Sequence, residues 1–237
     1  MKLNKEQKKL RRRMLEIMYT AHASHIGSCI SVIDLINAIY SVKNKKEKFV
    51  LSNGHSAIAL YVILEKYGLL KSLLLDKLET HPKRDIKNGI DVSTGSLGQG
   101  LPIALGMALA NKNRKVYCII SDGECAEGSI WESLRVVYDE KIYNLKIVVS
   151  ANGWGAYDPI SIKPLKKRFE GFGFNLIEVD GHNPKEITNA LKIDLKDQPV
   201  MIFAKTSSEQ LPFLNGIDAH YYIMNKDDYT LAMEILE

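Results

Sequence analysis

The chain has 237 residues, 46% hydrophobic and 25% charged, so it contains enough apolar material for a full core and is not a disordered protein. Its net charge of +4 is too small to indicate a nucleic-acid-binding protein. Three cysteines without a CxxC spacing, no apolar run of about 18 residues and a charged N-terminus predict a cytoplasmic protein with neither a membrane span nor a secretory signal.

Apolar periodicity in the first half of the chain predicts mainly helices. These helices cover residues 5–22, 31–42, 57–67 and 99–111, a short strand covers 48–52, and a polar loop covers 79–95. The second half alternates buried strands with helices. Its strands cover residues 115–121, 145–151, 174–180 and 199–205, and its helices cover 129–141, 184–195 and 226–237. This repeat indicates one α/β domain, residues 1–237, in which a parallel sheet carries helices on both faces.

Two of the predicted strands end in residues that suit a metal and phosphate site. One strand leads into Asp122 and Gly123, and the next leads into Asn152 and Gly153. Ligands of parallel sheets bind at the carboxyl ends of the strands. Carboxylate and amide oxygens are ligands for Mg²⁺ held together with a phosphate, and glycine lets the backbone approach that phosphate. Each dipeptide by itself is more often only a turn.

A glycine-rich segment opens the predicted helix at 99–111. Residues 94–100 (TGSLGQG) contain three glycines, and the backbone N–H groups there can meet an anion or the edge of a heterocycle. The segment matches neither the Walker motif nor GxGxxG, so nucleotide binding is not indicated. A tight turn before a helix is an equally good interpretation.

Four histidines lie in predicted loops or at the ends of elements: His25, His55, His81 and His220. One such histidine is commonly a surface or capping residue, but four in one α/β domain favour a binding site. Imidazoles bind sugar hydroxyls and phosphates and relay protons near neutral pH. His22 and His182 lack this context and are interpreted as structural. Cys125 has no base nearby in the sequence and is also interpreted as structural.

Four segments, taken with Asn152, form an ordered set of motifs. They are HIGSCISVIDLINAIY at residues 25–40, VLSNGHSAIALY at 50–61, STGSLGQGLPIALGMALA at 93–110 and SDGECAEGSIWES at 121–133. In this order they resemble the opening helix, the strand–SxGH–helix segment, the glycine motif and the thiamine diphosphate motif of transketolases. The resemblance covers nearly the whole chain, matches the N-terminal half of that family and implies a thiamine diphosphate-binding fold.

The resemblance implies how a cofactor and its metal ion are held. Asp122, Asn152 and the backbone carbonyl of Trp154 would bind Mg²⁺ (or Ca²⁺) together with the diphosphate of thiamine diphosphate, beside Gly123. The residues whose backbone groups would contact the aminopyrimidine ring are Gly95, Ser96 and Leu97.

The resemblance also implies roles for the histidines. His55 and His220 would reach the diphosphate, or the substrate near the thiazolium ring. His25 and His81 would contact hydroxyl groups of the donor and the acceptor. Glu127 would belong to a polar relay between the two cofactor sites of a dimer. The implied catalytic residues are therefore His25, His81, His220 and Glu127.

The implied reaction is the transfer of a two-carbon ketol unit from a ketose or ketose phosphate to an aldose. The chain ends where the C-terminal half of a transketolase would begin. We therefore expect a separately encoded C-terminal subunit, an α₂β₂ assembly, and no activity of this chain alone. Two alternatives stay open: a split thiamine diphosphate-dependent 2-oxo acid decarboxylase or ligase, and a non-catalytic assembly partner.

Several positions depart from the family pattern around the substrate channel. Ile26 and Ser28 replace a proline and a glycine, and Trp154 replaces a smaller apolar residue. SSEQLPFLNG at residues 207–216 replaces a glycine- and lysine-rich loop, and AHYY at 219–222 replaces WHGK. These changes raise the hypothesis of a specialised sugar substrate instead of the usual pentose phosphates.

Overall fold

The computed structural model describes residues 2–71 and 79–237, and this part of the chain contains a five-stranded sheet. Its strands lie in the order β1-β2-β3-β5-β4, and all neighbouring pairs are parallel. Because β2 and β3 are neighbours, the residues that follow them leave the sheet side by side. The strands are β1 (Lys48–Leu51), β2 (Val116–Ser121), β3 (Leu145–Ala151), β4 (Asn175–Asp180) and β5 (Val200–Lys205).

Helices cover both faces of the sheet, as the alternation of strands and helices predicts. Successive strand residues point to opposite layers, so that Phe49 and Leu51 pack into one core and Val50 into the other. The first layer consists of α1 (Lys5–Thr20), α2 (Ile26–Val42), α3 (Ala57–Lys66), α7 (Pro184–Leu191) and α8 (Lys226–Ile235). The second layer consists of α4 (Gly100–Ala110), α5 (Gly128–Asp139) and α6 (Ile162–Gly171).

Helix α2 is the central helix of the first layer. Every residue from Ile26 to Tyr40 is buried, and the helix packs against α1, α3 and α7. A helix that is buried on all sides in this way belongs to the core of a globular fold. Among the residues that the structure describes, no helix is both long and apolar enough to cross a lipid bilayer.

Most predicted elements are confirmed to within a few residues, but three helices differ. Helix α2 begins at Ile26, five residues before the predicted start, because tertiary packing buries its polar first turn on all sides. Helix α6 was not predicted. It buries only Leu165 and Phe169, and its lysines and Pro164 obscure the apolar pattern. Helix α7 ends at Leu191, earlier than expected.

Candidate active site

A cavity of about 230 Å³ opens at the carboxyl ends of β2 and β3, where the sequence predicts the ligand site. The turns that follow β1, β2 and β3, the N-terminal part of α2 and the loops before α4 and α8 contribute to its lining. The predicted site residues in this lining are His55, Leu97, Asp122, Gly123, Glu127, Asn152, Trp154 and His220. Lining residues without a predicted role in the site include Ser28, Ser31, Asn53 and Tyr157.

Asp122 and Asn152 hold the same turn from two sides. The Asp122 carboxylate accepts hydrogen bonds from the backbone N–H groups of Gly123 (3.0 Å) and Gly153 (2.7 Å). The side-chain oxygen of Asn152 accepts a hydrogen bond from the N–H of Trp154 (2.9 Å). A Cβ built on Gly123 would lie 3.8 Å from the carbonyl oxygen of Trp154. The three predicted metal ligands therefore adjoin one another.

The environment of Asp122 suits a divalent cation. Its side chain is 1% exposed, and burial raises the pKa of this carboxyl to about 7. The groups that lower the pKa are backbone N–H donors, and no lysine or arginine of the described residues contributes. A buried carboxylate without a cationic partner is costly. Together with the oxygens of Asn152 and Trp154 it fits the oxygen coordination of Mg²⁺ or Ca²⁺.

Ser31 orients the Asn152 side chain. The Nδ2 group of Asn152 donates to the Ser31 hydroxyl over 3.2 Å, and that hydroxyl donates to the carbonyl of Gly27 over 2.7 Å. This chain of hydrogen bonds keeps the amide oxygen of Asn152 on the side of the turn after β3. Ser31 belongs to the buried face of α2, so a sequence pattern alone marks it only as a core position.

Glu124 ties three segments of the site together. Its side chain is fully buried, and its carboxylate accepts hydrogen bonds from three donors. These donors are the Ser52 hydroxyl (2.6 Å), the Gly98 N–H (2.9 Å) and the Ser121 N–H (3.1 Å). The first follows β1, the second belongs to the glycine-rich segment and the third ends β2. Glu124 thus holds the glycine-rich segment against the turn that follows β2, a role that no pattern in the sequence indicates.

The glycine-rich segment packs too closely for side chains at two positions. Gly98 adopts φ of +78°, and a Cβ there would lie 2.6 Å from the Cβ of Glu127. Gly95 adopts φ of +149°, and a Cβ there would lie 2.8 Å from the imidazole ring of His81. Only glycine combines this backbone conformation with this close approach. The segment therefore packs closely against His81 and Glu127, and its role in binding stays a prediction.

The remaining predicted residues lie nearer the surface. Leu97 lines the cavity, whereas Ser96 and Glu127 are exposed in the single chain. Glu127 also lines the cavity, at the residue before α5.

Cys125 is buried, which raises the pKa of its thiol well above the ordinary value and agrees with a structural role.

Three of the four predicted histidines form a cluster. The ring centroids of His25 and His220 are 4.8 Å apart, those of His25 and His55 are 5.1 Å apart, and those of His55 and His220 are 5.2 Å apart. His81 packs against Gly95 and is near enough to repel a proton on His25 or His55. The fold thus brings together histidines that the sequence separates by up to 195 residues.

Burial and mutual repulsion keep the clustered imidazoles neutral. Burial, with repulsion from neighbouring histidines, lowers the pKa of His25 to about 4 and that of His55 to about 3. Burial also lowers the pKa of His220. A neutral imidazole offers one donor and one acceptor, which suits hydroxyl groups. The buried Nδ1 atom of His25 has no hydrogen-bond partner among the described residues, as expected of a group that meets a ligand.

Aromatic side chains from two loops form the mouth of the cavity. The Tyr221 ring lies 4.6 Å from that of His220, and Tyr157, which lines the cavity, is 81% exposed. A Cβ built on Gly216 would lie 3.5 Å from the ring of Trp154. The departures from the family pattern at Trp154, Gly216 and Tyr221 therefore lie at or beside the cavity.

Comparisons with known proteins identify relatives of the chain. Residues 4–228 match the family described as transketolase, thiamine diphosphate binding domain. One of the subunits of apulose-4-phosphate transketolase from Phocaeicola vulgatus is 30% identical, over 98% of this chain and 92% of that protein. The SqwG subunit of 6-deoxy-6-sulfo-D-fructose transketolase from Clostridium sp. strain MSTE9 is 32% identical, over 83% of this chain and 82% of that protein.

Solved structures agree with the fold predicted from the sequence. Transketolase from Leishmania mexicana has a TM-score of 0.85 at 21% identity, covering 97% of this chain but 40% of that chain. This likeness shows the fold, and the family match covers nearly all of the sequence. The chain therefore belongs to the transketolase family, as its thiamine diphosphate-binding domain.

Proposed function

We propose that this chain is the cofactor-binding subunit of a two-chain, thiamine diphosphate-dependent transketolase. It moves a two-carbon ketol unit from a ketose or ketose phosphate to an aldose. The observation that carries the proposal is the arrangement of Asp122 and Asn152 at neighbouring strand ends, in one cavity with His55 and His220. Two relatives that align over most of their own length are named as transketolase subunits, which supports a two-chain enzyme.

The strand ends hold the metal and the cofactor. Asp122, Asn152 and the carbonyl of Trp154 bind Mg²⁺ or Ca²⁺ together with the diphosphate, and Gly123 leaves room for a phosphate oxygen. Glu124 fixes Gly98 and so helps to hold residues 95–97, whose backbone groups would contact the aminopyrimidine ring. Thiamine diphosphate supplies the nucleophilic carbon and the electron sink for cleavage and formation of the carbon–carbon bond.

The histidines hold the sugar. His25, His55 and His220 are neutral at pH 7, so they bind hydroxyl groups as donor and acceptor and orient the ketose for reaction. His81 lies beside the same cavity and contacts the hydroxyl groups of the acceptor. Glu127 joins a polar relay between two cofactor sites in an assembly that contains a second copy of this chain.

The partner is a C-terminal transketolase subunit, in an α₂β₂ assembly. That subunit supplies the group that activates the pyrimidine ring and the other wall of the cofactor pocket. Three buried cysteines with free thiols suit a reducing compartment such as the cytoplasm. The cluster of neutral histidines favours a hydroxylated sugar over a 2-oxo acid, which offers the cluster fewer hydroxyl groups.

The decisive experiment is calorimetry of thiamine diphosphate with Mg²⁺, titrated into the chain with and without a candidate C-terminal subunit. We expect the wild type to bind the cofactor and Asp122→Ala to lose this binding. Asp139→Ala, which changes an exposed carboxylate on α5, should bind as the wild type does. Ketol transfer then requires both chains. Undiminished binding by Asp122→Ala contradicts the metal assignment. Release of CO₂ from a 2-oxo acid without ketol transfer supports the decarboxylase, and the absence of binding in every combination supports an assembly partner.

A further inference from the structure

A buried polar network lies in the first helix layer, outside the cavity. Arg11 on α1 is completely buried, and its guanidinium donates two hydrogen bonds to the Asp34 carboxylate on α2, at 3.1 and 2.5 Å. Asp34 is 2% exposed and also accepts a hydrogen bond from Nδ1 of His182 over 2.8 Å. None of these three residues lines the cavity. His182 is the histidine that the sequence analysis interprets as structural.

The backbone determines which nitrogen of His182 carries the proton. The N–H of Ser207 donates to Nε2 of His182 over 3.0 Å, so Nε2 presents its lone pair. The proton of the neutral ring then resides on Nδ1 and is donated to Asp34. His182 therefore connects a buried ion pair between two helices to the residues that follow β5.

The same network also holds Gln210, at the other end of the segment 207–210. The Gln210 side chain donates to the carbonyls of Ser207 (2.8 Å) and Ile30 (3.2 Å) and accepts from Nε of Arg11 (2.9 Å). Residues 207–210 are thus clamped at both ends, against α1 and α2. They begin the segment 207–216 that departs from the family pattern.

Close contacts link residues 207–210 to the turn that contains His220. The Glu209 carboxylate accepts a hydrogen bond from the N–H of Gly216 over 2.8 Å, at the start of the short 3₁₀ helix Gly216–His220. At Gly27 on α2, a Cβ would lie 3.0 Å from Ser208 and 2.8 Å from the carbonyl oxygen of Ala219. Since this packing leaves no free space, a shift of residues 207–210 moves the turn that carries His220.

We propose that His182 is a positioning residue of the substrate site. By holding Ser207 it sets residues 207–220 against α2 and so places His220 in the cluster with His25 and His55. The inference rests on the proposed function, in which that cluster binds the sugar. We expect His182 to affect sugar affinity more strongly than metal and cofactor binding, because Asp122 and Asn152 follow β2 and β3, whereas residues 207–220 follow β5.

Two substitutions separate the contacts of His182. In His182→Gln, a carbonyl oxygen can take the place of Nε2 and keep the hydrogen bond from Ser207, while the bond to Asp34 is lost. In His182→Asn, an amide N–H can replace Nδ1 and keep the bond to Asp34, while the Ser207 N–H loses its acceptor. His22→Asn is the matched control, because His22 is exposed and already has positive φ.

Hydrogen exchange of the amides in residues 207–220 tests the anchor without any assay of activity. We expect faster exchange there in His182→Asn, and exchange close to that of the wild type in His182→Gln and His22→Asn. Residues 95–100 should exchange alike in all four proteins. Unchanged protection of residues 207–220 in His182→Asn overturns the proposal.

Kinetics with the C-terminal subunit test the link to substrate. We expect His182→Asn to raise the KM for the ketose about tenfold, the effect of losing about one hydrogen bond between His220 and the sugar, and to change the Kd of thiamine diphosphate less. His182→Gln should restore most of the affinity. Equal KM values for His182→Asn and the wild type overturn the role in the site. If the wild-type pair transfers no ketol unit, the proposed function fails, and the exchange experiment still decides the anchor.

Discussion

The imidazole rings of His25 and His220 meet edge to face, with their centroids 4.8 Å apart and their planes at 83°. His55 lies 5.2 Å from His220, so a proton on one ring brings a positive charge beside the others in a partly buried space. Burial is the larger cause of the lowered pKa values of His25 and His55, and repulsion within the cluster adds to it. The cluster of His25, His55 and His220 is consequently uncharged at neutral pH.

The histidine cluster makes stability depend on pH below 6.5. In the unfolded chain these histidines take up protons as the pH falls below 6.5, but in the folded protein only near 4 for His25 and 3 for His55. The unfolded state therefore binds more protons in this window, and the cluster lowers the free energy of unfolding as the pH drops. We expect the double variant His25→Asn, His55→Asn to be less sensitive to acid than the wild type, measured by urea unfolding.

The comparison with the variant is essential, because buried acids act in the opposite direction. Burial raises the pKa values of Asp122 and Glu124, so the folded protein binds more protons at these groups than the unfolded chain does. The free energy of unfolding is plotted against pH for the wild type and the double variant. The difference between the two slopes gives the contribution of His25 and His55. The control variant His22→Asn should keep the wild-type slope. Identical slopes for the double variant and the wild type would contradict the assignment.

Metal binding should depend on the protonation of Asp122. Only the carboxylate form binds a divalent cation, and the pKa of this carboxyl is about 7 before the metal arrives. The affinity for Mg²⁺ with thiamine diphosphate should therefore rise with pH, by up to about tenfold per pH unit below 7, and level off above it. Calorimetry in the presence of the partner subunit measures this profile. Asp122→Asn should bind the metal and cofactor weakly, with an affinity that changes less with pH. If the affinity of this variant changes with pH as that of the wild type does, the cofactor phosphate and not Asp122 causes the pH dependence.

Gly98 and Gly106 should respond oppositely to alanine. At Gly98 the backbone has φ of +78° and a Cβ would lie 2.6 Å from Glu127 and Ser129, so Gly98→Ala should destabilise the fold by about 1–3 kcal/mol and weaken cofactor binding. At Gly106, inside α4, no atom lies within 4 Å of an added Cβ. Gly106→Ala should stabilise the chain by about 0.5–1 kcal/mol. Thermal unfolding should show a lower melting temperature for Gly98→Ala and a higher one for Gly106→Ala. Equal changes in melting temperature would argue against close packing at Gly98.

The buried ion pair of Arg11 and Asp34 should contribute strongly to stability. Arg11→Ala leaves the Asp34 carboxylate buried beside His182 without its cation, which costs about 3–5 kcal/mol in free energy of unfolding. Arg135 on α5 is the matched control, because its ion pairs with Glu132 and Asp139 are exposed. Arg135→Ala should change the stability by less than about 1 kcal/mol. Urea unfolding compares them, and a similar small loss for Arg11→Ala would mean that Asp34 is neutral in the folded protein.

The strand ends were predictable because buried parallel strands are continuous apolar runs with polar residues directly after them. Asp122 and Asn152 stand at such positions, and their adjacency follows once β2 and β3 are neighbours. The first turn of α2 and helix α6 were not predictable in this way. The first turn is buried only through contacts with distant segments, and α6 presents only Leu165 and Phe169 to the core.

The roles of Glu124 and His182 lay beyond sequence patterns for a related reason. Glu124 depends on a hydroxyl 72 residues away at Ser52, and His182 depends on a carboxylate 148 residues away at Asp34. Ser52 and Asp34 lie within the motif segments at residues 50–61 and 25–40, but no motif or periodicity indicates which distant side chain each of them contacts. A buried acid or histidine acquires its role from the donors and acceptors that folding places around it.

By itself, the sequence determined the parallel α/β sheet, the positions of Asp122 and Asn152 after two of its strands and the glycine-rich segment, because apolar periodicity and residue type act locally along the chain. Only the tertiary structure decided that His25, His55 and His220 share one cluster and are uncharged. The pKa of a side chain and the location of a proton depend on burial and on neighbouring charges. Those are properties of the space that the folded chain encloses, and residues far apart in the sequence create them together.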